Sequence, residues 1–193
     1  RWQVLRLGYT ISDRAHVSTS SEGWTGYALD VLDEGAFLRY WDAVVDPLID
    51  DAGPLAGTAL KYLHTDSWEI EPLNWTPTMR TEFENRRGYD PLPWLPVLTG
   101  RIVASADQSD RFLWDLRRQV ADRIAKDYVG GLRDLCRPHG LRLWLENYGH
   151  WGFPAEFLQY GGQSDLIGGE FWTKGSLGSI ECRAASSAAN IYG

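Results

Sequence analysis

Three glutamates sit where strand-like runs end: Glu69 in HTDSWE, Glu146 in LENYGH and Glu170 in GGEFW, each with an aromatic residue close by. Two carboxyl groups facing each other across a glycosidic bond can cleave it. One, protonated, donates to the leaving oxygen; the other, ionised, activates water or attacks the anomeric carbon. A gap of about 5 to 5.5 Å between them implies a retaining nucleophile, and roughly 6.5 to 9.5 Å leaves room for an inverting water. An adjacent indole raises a carboxyl pKa by desolvation, as a proton donor requires, so Trp68 beside Glu69 makes chemical sense. The plainer reading of each glutamate is a solvated loop residue or a helix cap.

His64 and Asp66 fall on one side of their strand by the two-residue alternation, so both can reach a mouth near Glu69 and bond sugar hydroxyls. A core histidine with one backbone partner is the alternative for His64. His16, His139 and His150 read as loop or turn residues, His150 following Glu146 and Asn147 into the same mouth. Asp66, Glu146, Asn147 and Glu170 also offer the hard oxygens that Ca²⁺ takes, without an EF-type loop; a metal-free polar cluster is the simpler alternative.

Other chemistries lack their signatures. The sequence holds no H-E-x-x-H, C-x-x-C, P-loop, G-x-G-x-x-G or G-x-S-x-G pattern. A net charge of −7 argues against nucleic-acid and polyanionic partners, which need clustered Lys and Arg. Cys136 and Cys182 stand too far apart for a metal or redox pair and read as reduced core thiols. No apolar run approaches the roughly 18 residues of a membrane helix, and no membrane partner is expected. Ten Trp and nine Tyr in 193 residues supply either core or sugar-stacking surface.

These side chains need strands to hold them. Strands are expected at residues 2–10 (WQVLRLGYT), 59–66 (ALKYLHTD), 141–148 (LRLWLENY) and 165–171 (DLIGGEF). An amphipathic helix carries Phe37, Tyr40, Trp41, Val44, Val45 and Leu48, with Asp33 as N-cap, Gly53-Pro54 as stop, and a bend or early end near Asp46 because Pro47 lacks a donor. Further helices are expected over 78–87, 110–136, 155–160 and 179–192, with the proline-rich segment 90–100 irregular. Strands alternating with helices predict parallel βαβ units with ligand sites at the strands' carboxyl ends. The count is four βα units, about half of a (β/α)8 barrel of roughly 250 residues; an open four-stranded α/β sheet is the alternative.

Whole strings are also familiar: STSSEGW, DEGAFLRYWDAVVDPLIDDAGPLAGTALKYLHTDSWE, NWTPTMRTEFENRRGYDPLPWLPVLTGRIV, SDRFLWDLRR, then GGEFW and AASSAANIYG. In this order, and over nearly the whole chain, they resemble the catalytic domain of glycoside hydrolase family 106, the α-L-rhamnosidases. The resemblance implies a (β/α)8 barrel that hydrolyses α-L-rhamnosides with inversion through a carboxyl pair, with Ca²⁺ near the sugar hydroxyls and no organic cofactor. It implies a rhamnose-containing oligosaccharide, polysaccharide or glycoside as partner, and secretion or a periplasm as location. Glu69 matches the general acid. Glu170 matches a carboxylate of the substrate and metal pocket, with Glu146 as a second metal ligand, although LENYGH departs from the Gly- and Pro-rich form expected there. His64, Asp66, Trp68, Glu146, Asn147 and Trp172 are the substrate-binding set.

In the family pattern the Ala-rich helix ending in IYG leads to a further strand with another Glu, a candidate general base. Residues 1–193 therefore read as a fragment of one catalytic domain truncated at both ends, with little turnover in isolation; the other assignment makes Glu170 the base. A non-catalytic sugar-binding barrel segment and a retaining glycosidase of other sugar specificity are the remaining alternatives.

Overall fold

The computed structural model describes residues 2–11, 22–23, 25–68, 73–147, 153–171 and 181–193, the side chain of Glu181 excepted. Helix α1 (Glu34–Tyr40) starts where Asp33 Oδ1 accepts from Gly35 N at 3.0 Å, with Glu34 in its first turn and Arg39 in its last, as the macrodipole favours. The helix does not end at Pro47. It widens into a π turn, Trp41–Val45, closed by Asp46 N on Trp41 O, and resumes as α2 (Asp46–Ala52) with Pro47 in the first turn, where its missing donor costs nothing. Gly53 then stops it with φ 50°.

The next strand begins later than its apolar pattern suggests. Residues 57–60 are held in a turn by Thr58 N on Leu55 O (3.1 Å) and Leu60 N on Leu55 O (2.9 Å), so β1 is Tyr62–Thr65. Helix α3 (Met79–Arg87) ends at Gly88 in the left-handed region, and the prolines of Leu92–Thr99 allow only a 3₁₀ run. Helix α4 (Ala106–Arg123) is capped by Ser105, whose Oγ accepts from Gln108 N at 3.1 Å; a π stretch (Ile124–Gly130) and α5 (Gly131–Cys136) continue it. After Pro138 and Gly140 come β2 (Arg142–Glu146), α6 (Phe157–Gly161), β3 (Leu166–Gly168) and α7 (Glu181–Tyr192).

The three strands form one parallel sheet in the order β1-β2-β3. His64 pairs with Trp144, Trp144 with Leu166, and Glu146 with Gly168. Gly57 and Gly140, with φ of 76° and 70°, lie back to back where the chain enters β1 and β2: a Cβ built on Gly140 would stand 3.3 Å from Gly57 Cα. That approach fixes the common starting level of the two strands.

Alternate residues separate the two faces of the sheet. Leu63, Leu143 and Leu145 join Phe37, Trp41, Val45, Val120, Ile124, Val129, Leu132 and Tyr160 in the main core, so helices before, between and after the strands all pack on one face. Burying each such leucine stabilises the fold by about 1.5–3 kcal/mol. The other face, with Tyr62, His64, Arg142 and Trp144, is exposed among the described residues. A second cluster of Phe83, Val97, Phe112 and Leu116 lies under the 3₁₀ run. Arg123 is buried as well, its guanidinium bonded to Leu32 O, Thr78 Oγ1 and Asp127, which ties α4 to the loop ahead of α1.

Two expectations are corrected. Residues 2–10 form no strand: they pair with nothing among the described residues, and Trp2 and Val4 are 98% and 91% exposed. Apolar content makes a strand only where a neighbouring edge offers a ladder. Accordingly the described residues hold three strands and not four, a mixed α/β arrangement with a small parallel sheet.

Candidate functional site

The carboxyl ends of β1, β2 and β3 deliver Asp66, Glu146 and Glu170. Each keeps the parity of the exposed sheet face, Asp66 with His64, Glu146 with Trp144 and Glu170 with Gly168. The glycines of GGEF confirm this pattern. A Cβ on Gly168 would meet Trp144 Nε1 on the exposed face at 2.8 Å, whereas one on Gly169 would meet Cys182 Cα of α7 at 3.0 Å on the helix side.

Asp66 and Glu146 titrate as neighbours, and of the two Glu146 keeps its proton to higher pH. Desolvation, the bond to Asp66 and the charges of Asp66 and then Glu170 push its pKa up from 4.5 to about 7. Asp66 is held below the usual carboxylate range by its bonds to Glu146 and to Ser67 N, with His64 adding attraction. The Ser67 N–H serves both acids, reaching Asp66 Oδ1 at 2.9 Å and Glu146 Oε2 at 3.0 Å. This backbone donor has no sequence signal.

Other members of the predicted set lie elsewhere. His64 is exposed and packs against Trp144 with ring centroids 4.7 Å apart, so it is no core histidine. Trp68, a member of the substrate-binding set, is 5% exposed and packs in the core edge-on to Tyr128 and Phe153 at 6.1 and 6.5 Å. Asn147 turns the other way from Glu146. Its backbone N bonds Gly168 O at 2.9 Å, and its side chain is fully buried against Gly161 with both amide atoms unpartnered. Glu69, Trp172 and His150 lie outside the described residues.

Beneath the acids, Tyr128 from the π stretch bonds Thr65 Oγ1 at 2.7 Å, and burial pushes its phenol pKa up. A cavity of 480 Å³ runs along β1 on the same side, walled by Tyr40, Leu63, Thr65, Trp68 and Tyr128; of the residues bonded to the acids, only Ser67 reaches it.

For a cation, Asp66, Glu146 and Glu170 have the right chemistry, hard oxygens, but Ca²⁺ takes six to eight ligands. Among the described residues no three acidic, His or Cys side chains converge closely enough to hold a metal ion. The donor set among the described residues is thus too small to support a step through calcium.

The arrangement of acids at successive parallel strand ends is one of several that hydrolases use, and comparison with known proteins decides between them. A family profile described as alpha-L-rhamnosidase, glycoside hydrolase family 106, matches residues 1–193. The chain belongs to this family. Among solved structures, family 106 finds a fold neighbour in a rhamnosidase from Novosphingobium sp. PP1Y, at TM-score 0.80 and 31% identity over 92% of this chain and 18% of that one. A Formosa agariphila protein named "Putative beta-glucuronidase" is 35% identical over 192 residues, 100% of this chain and 16% of the relative. The family 106 sequence here therefore spans less than a fifth of the length of either protein.

Proposed function

We propose that this chain is part of a (β/α)8 catalytic domain that hydrolyses α-L-rhamnosides with inversion. The observation that carries the reading is the gathering of three carboxyl groups, Asp66, Glu146 and Glu170, at three consecutive parallel strand ends on one sheet face, close enough for the charge of Glu170 to act on Glu146. Among the described residues helices cover one face only, which suits a barrel whose interior is the other face and whose active-site rim is the carboxyl ends.

In this reading Glu69 protonates the glycosidic oxygen, and Glu170, or a carboxylate of the domain outside these residues, activates water on the opposite face of the sugar. Asp66 and Glu146 accept and donate to ring hydroxyls: Asp66 remains an acceptor, and Glu146 carries a proton below pH 7.

The name of the Formosa relative favours a glucuronide as a second reading. Electrostatics separates the two. Three acids at neighbouring strand ends repel a uronate carboxylate and suit a neutral 6-deoxy sugar.

In the full-length enzyme, Glu69→Gln should slow natural rhamnosides strongly while sparing activated aryl rhamnosides, whose leaving group needs no proton. Glu170→Gln should slow both. Equal losses on the two substrate types for Glu69→Gln would refute the acid role, and faster cleavage of aryl glucuronides than rhamnosides by wild type would replace the substrate.

A further inference from the structure

Trp144 is a large apolar residue that the core does not use. It stands on the bare sheet face, 44% exposed, two residues before Glu146 on β2 and so about 6.6 Å below it along the strand. His64 covers one side of the indole. On the other side the position paired with Glu146 in the sheet is Gly168, and the indole edge leans into the space a side chain there would fill: a Cβ at 168 would come within 2.8 Å of Nε1. Among the described residues the indole N–H has no acceptor. A hydrogen-bond donor and an aromatic surface thus lie at the foot of Asp66, Glu146 and Glu170, the indole edge packed where only glycine at 168 leaves it room.

We infer that Trp144 is a substrate-positioning residue, forming the floor on which the pyranose held between the strand-end acids rests, with its Nε1–H donating to one ring hydroxyl. The inference rests on the glycosidase reading and adds to it the contact that sets sugar position. An indole serves both halves of a pyranoside, its π surface taking the C–H groups and its N–H a hydroxyl. Gly168 belongs to the same device, because any side chain there would collide with the indole edge and displace it.

The test uses full-length enzyme with p-nitrophenyl α-L-rhamnoside, its monodeoxy analogues, and L-rhamnose binding by calorimetry, which needs no turnover. Trp144→Phe keeps a ring and removes the N–H. It should weaken L-rhamnose binding and lower kcat/KM about tenfold, and the loss should vanish on the one analogue that lacks the bonded hydroxyl. Gly168→Ala, with the indole retained, should raise KM while binding of L-rhamnose weakens. If wild type hydrolyses rhamnosides and both variants bind L-rhamnose as wild type does, or if Trp144→Phe loses equally on every analogue, the indole packs against another part of the domain and the positioning role is refuted with the glycosidase reading intact. If wild type neither binds nor cleaves a rhamnoside, the glycosidase reading fails and this role with it.

Discussion

Replacing Glu146 with Gln should flatten the dependence of stability on pH between 4.5 and about 7. Glu146 titrates at 4.5 when unfolded and at about 7 in the native chain. At 1.36 kcal/mol per pH unit, that difference corresponds to roughly 3.4 kcal/mol. The carboxyl is only half-buried and water screens it, so about 1.5 kcal/mol is the working figure.

The direction follows from which state holds the proton. Below pH 4.5 both states are protonated and the residue is neutral toward stability. From pH 4.5 upward the unfolded chain releases its proton while the native one keeps it, so stability falls; above about pH 7 both are ionised and the whole penalty is present. Asp66 works with the opposite sign, adding stability that is lost as pH falls below its ordinary 3.8, outside this window. Urea unfolding of wild type and Glu146→Gln across the window measures the effect as the difference between two profiles, in which all other groups cancel. A gap closing by about 1.5 kcal/mol toward acid pH is expected. Parallel profiles would refute the raised pKa of Glu146.

Three further substitutions probe the frame. Phe83→Ala, at a position with no exposure between Tyr89 and Phe112, should cost about 3–5 kcal/mol in urea unfolding, and a loss under 1 kcal/mol would mean that the second cluster adds little. Asp33→Ala should cost about 1 kcal/mol through the lost bond to Gly35 N, with Asp33→Ser restoring most of it. Gly161→Ala would set a methyl 2.8 Å from both Ala188 Cβ and Asn147 Nδ2 and should destabilise by about 1–3 kcal/mol; an unchanged Tm would contradict the close contact of α6 with α7.

Much of the helical frame was legible because its signals are local. Asp33 as a cap, Gly53 and Gly140 as stops and the apolar spacing along residues 110–136 all act over one or two turns. Even so, Pro47 is accommodated by a π turn ahead of it, which depends on how Trp41 seats in the core and anchors its Nε1 to Asp46 at 2.7 Å. Strands were less legible, since a ladder needs a partner: residues 2–10 have the composition without one, and residues 57–60 give up their pattern to a turn.

At the site, parity within LRLWLE already puts Trp144 on the face of Glu146, but which face the helices cover is set by packing remote in sequence. The packing of Trp68 is hidden for a related reason: its neighbours in space, Tyr128 and Phe153, are far away in the chain. The carboxyl contact between Asp66 and Glu146 spans eighty positions and appears only once β1 and β2 are in register.

The one-sided covering of the sheet divides labour within each strand. In β2, Leu143 and Leu145 anchor the strand to its helices, while Arg142, Trp144 and Glu146 look the other way. Neighbouring positions therefore answer to different demands, fastening at one and chemistry at the next. Specificity can be retuned at every second residue while the fastenings between them stay untouched, and a slip by a single residue would exchange the two sets and destroy both properties at once.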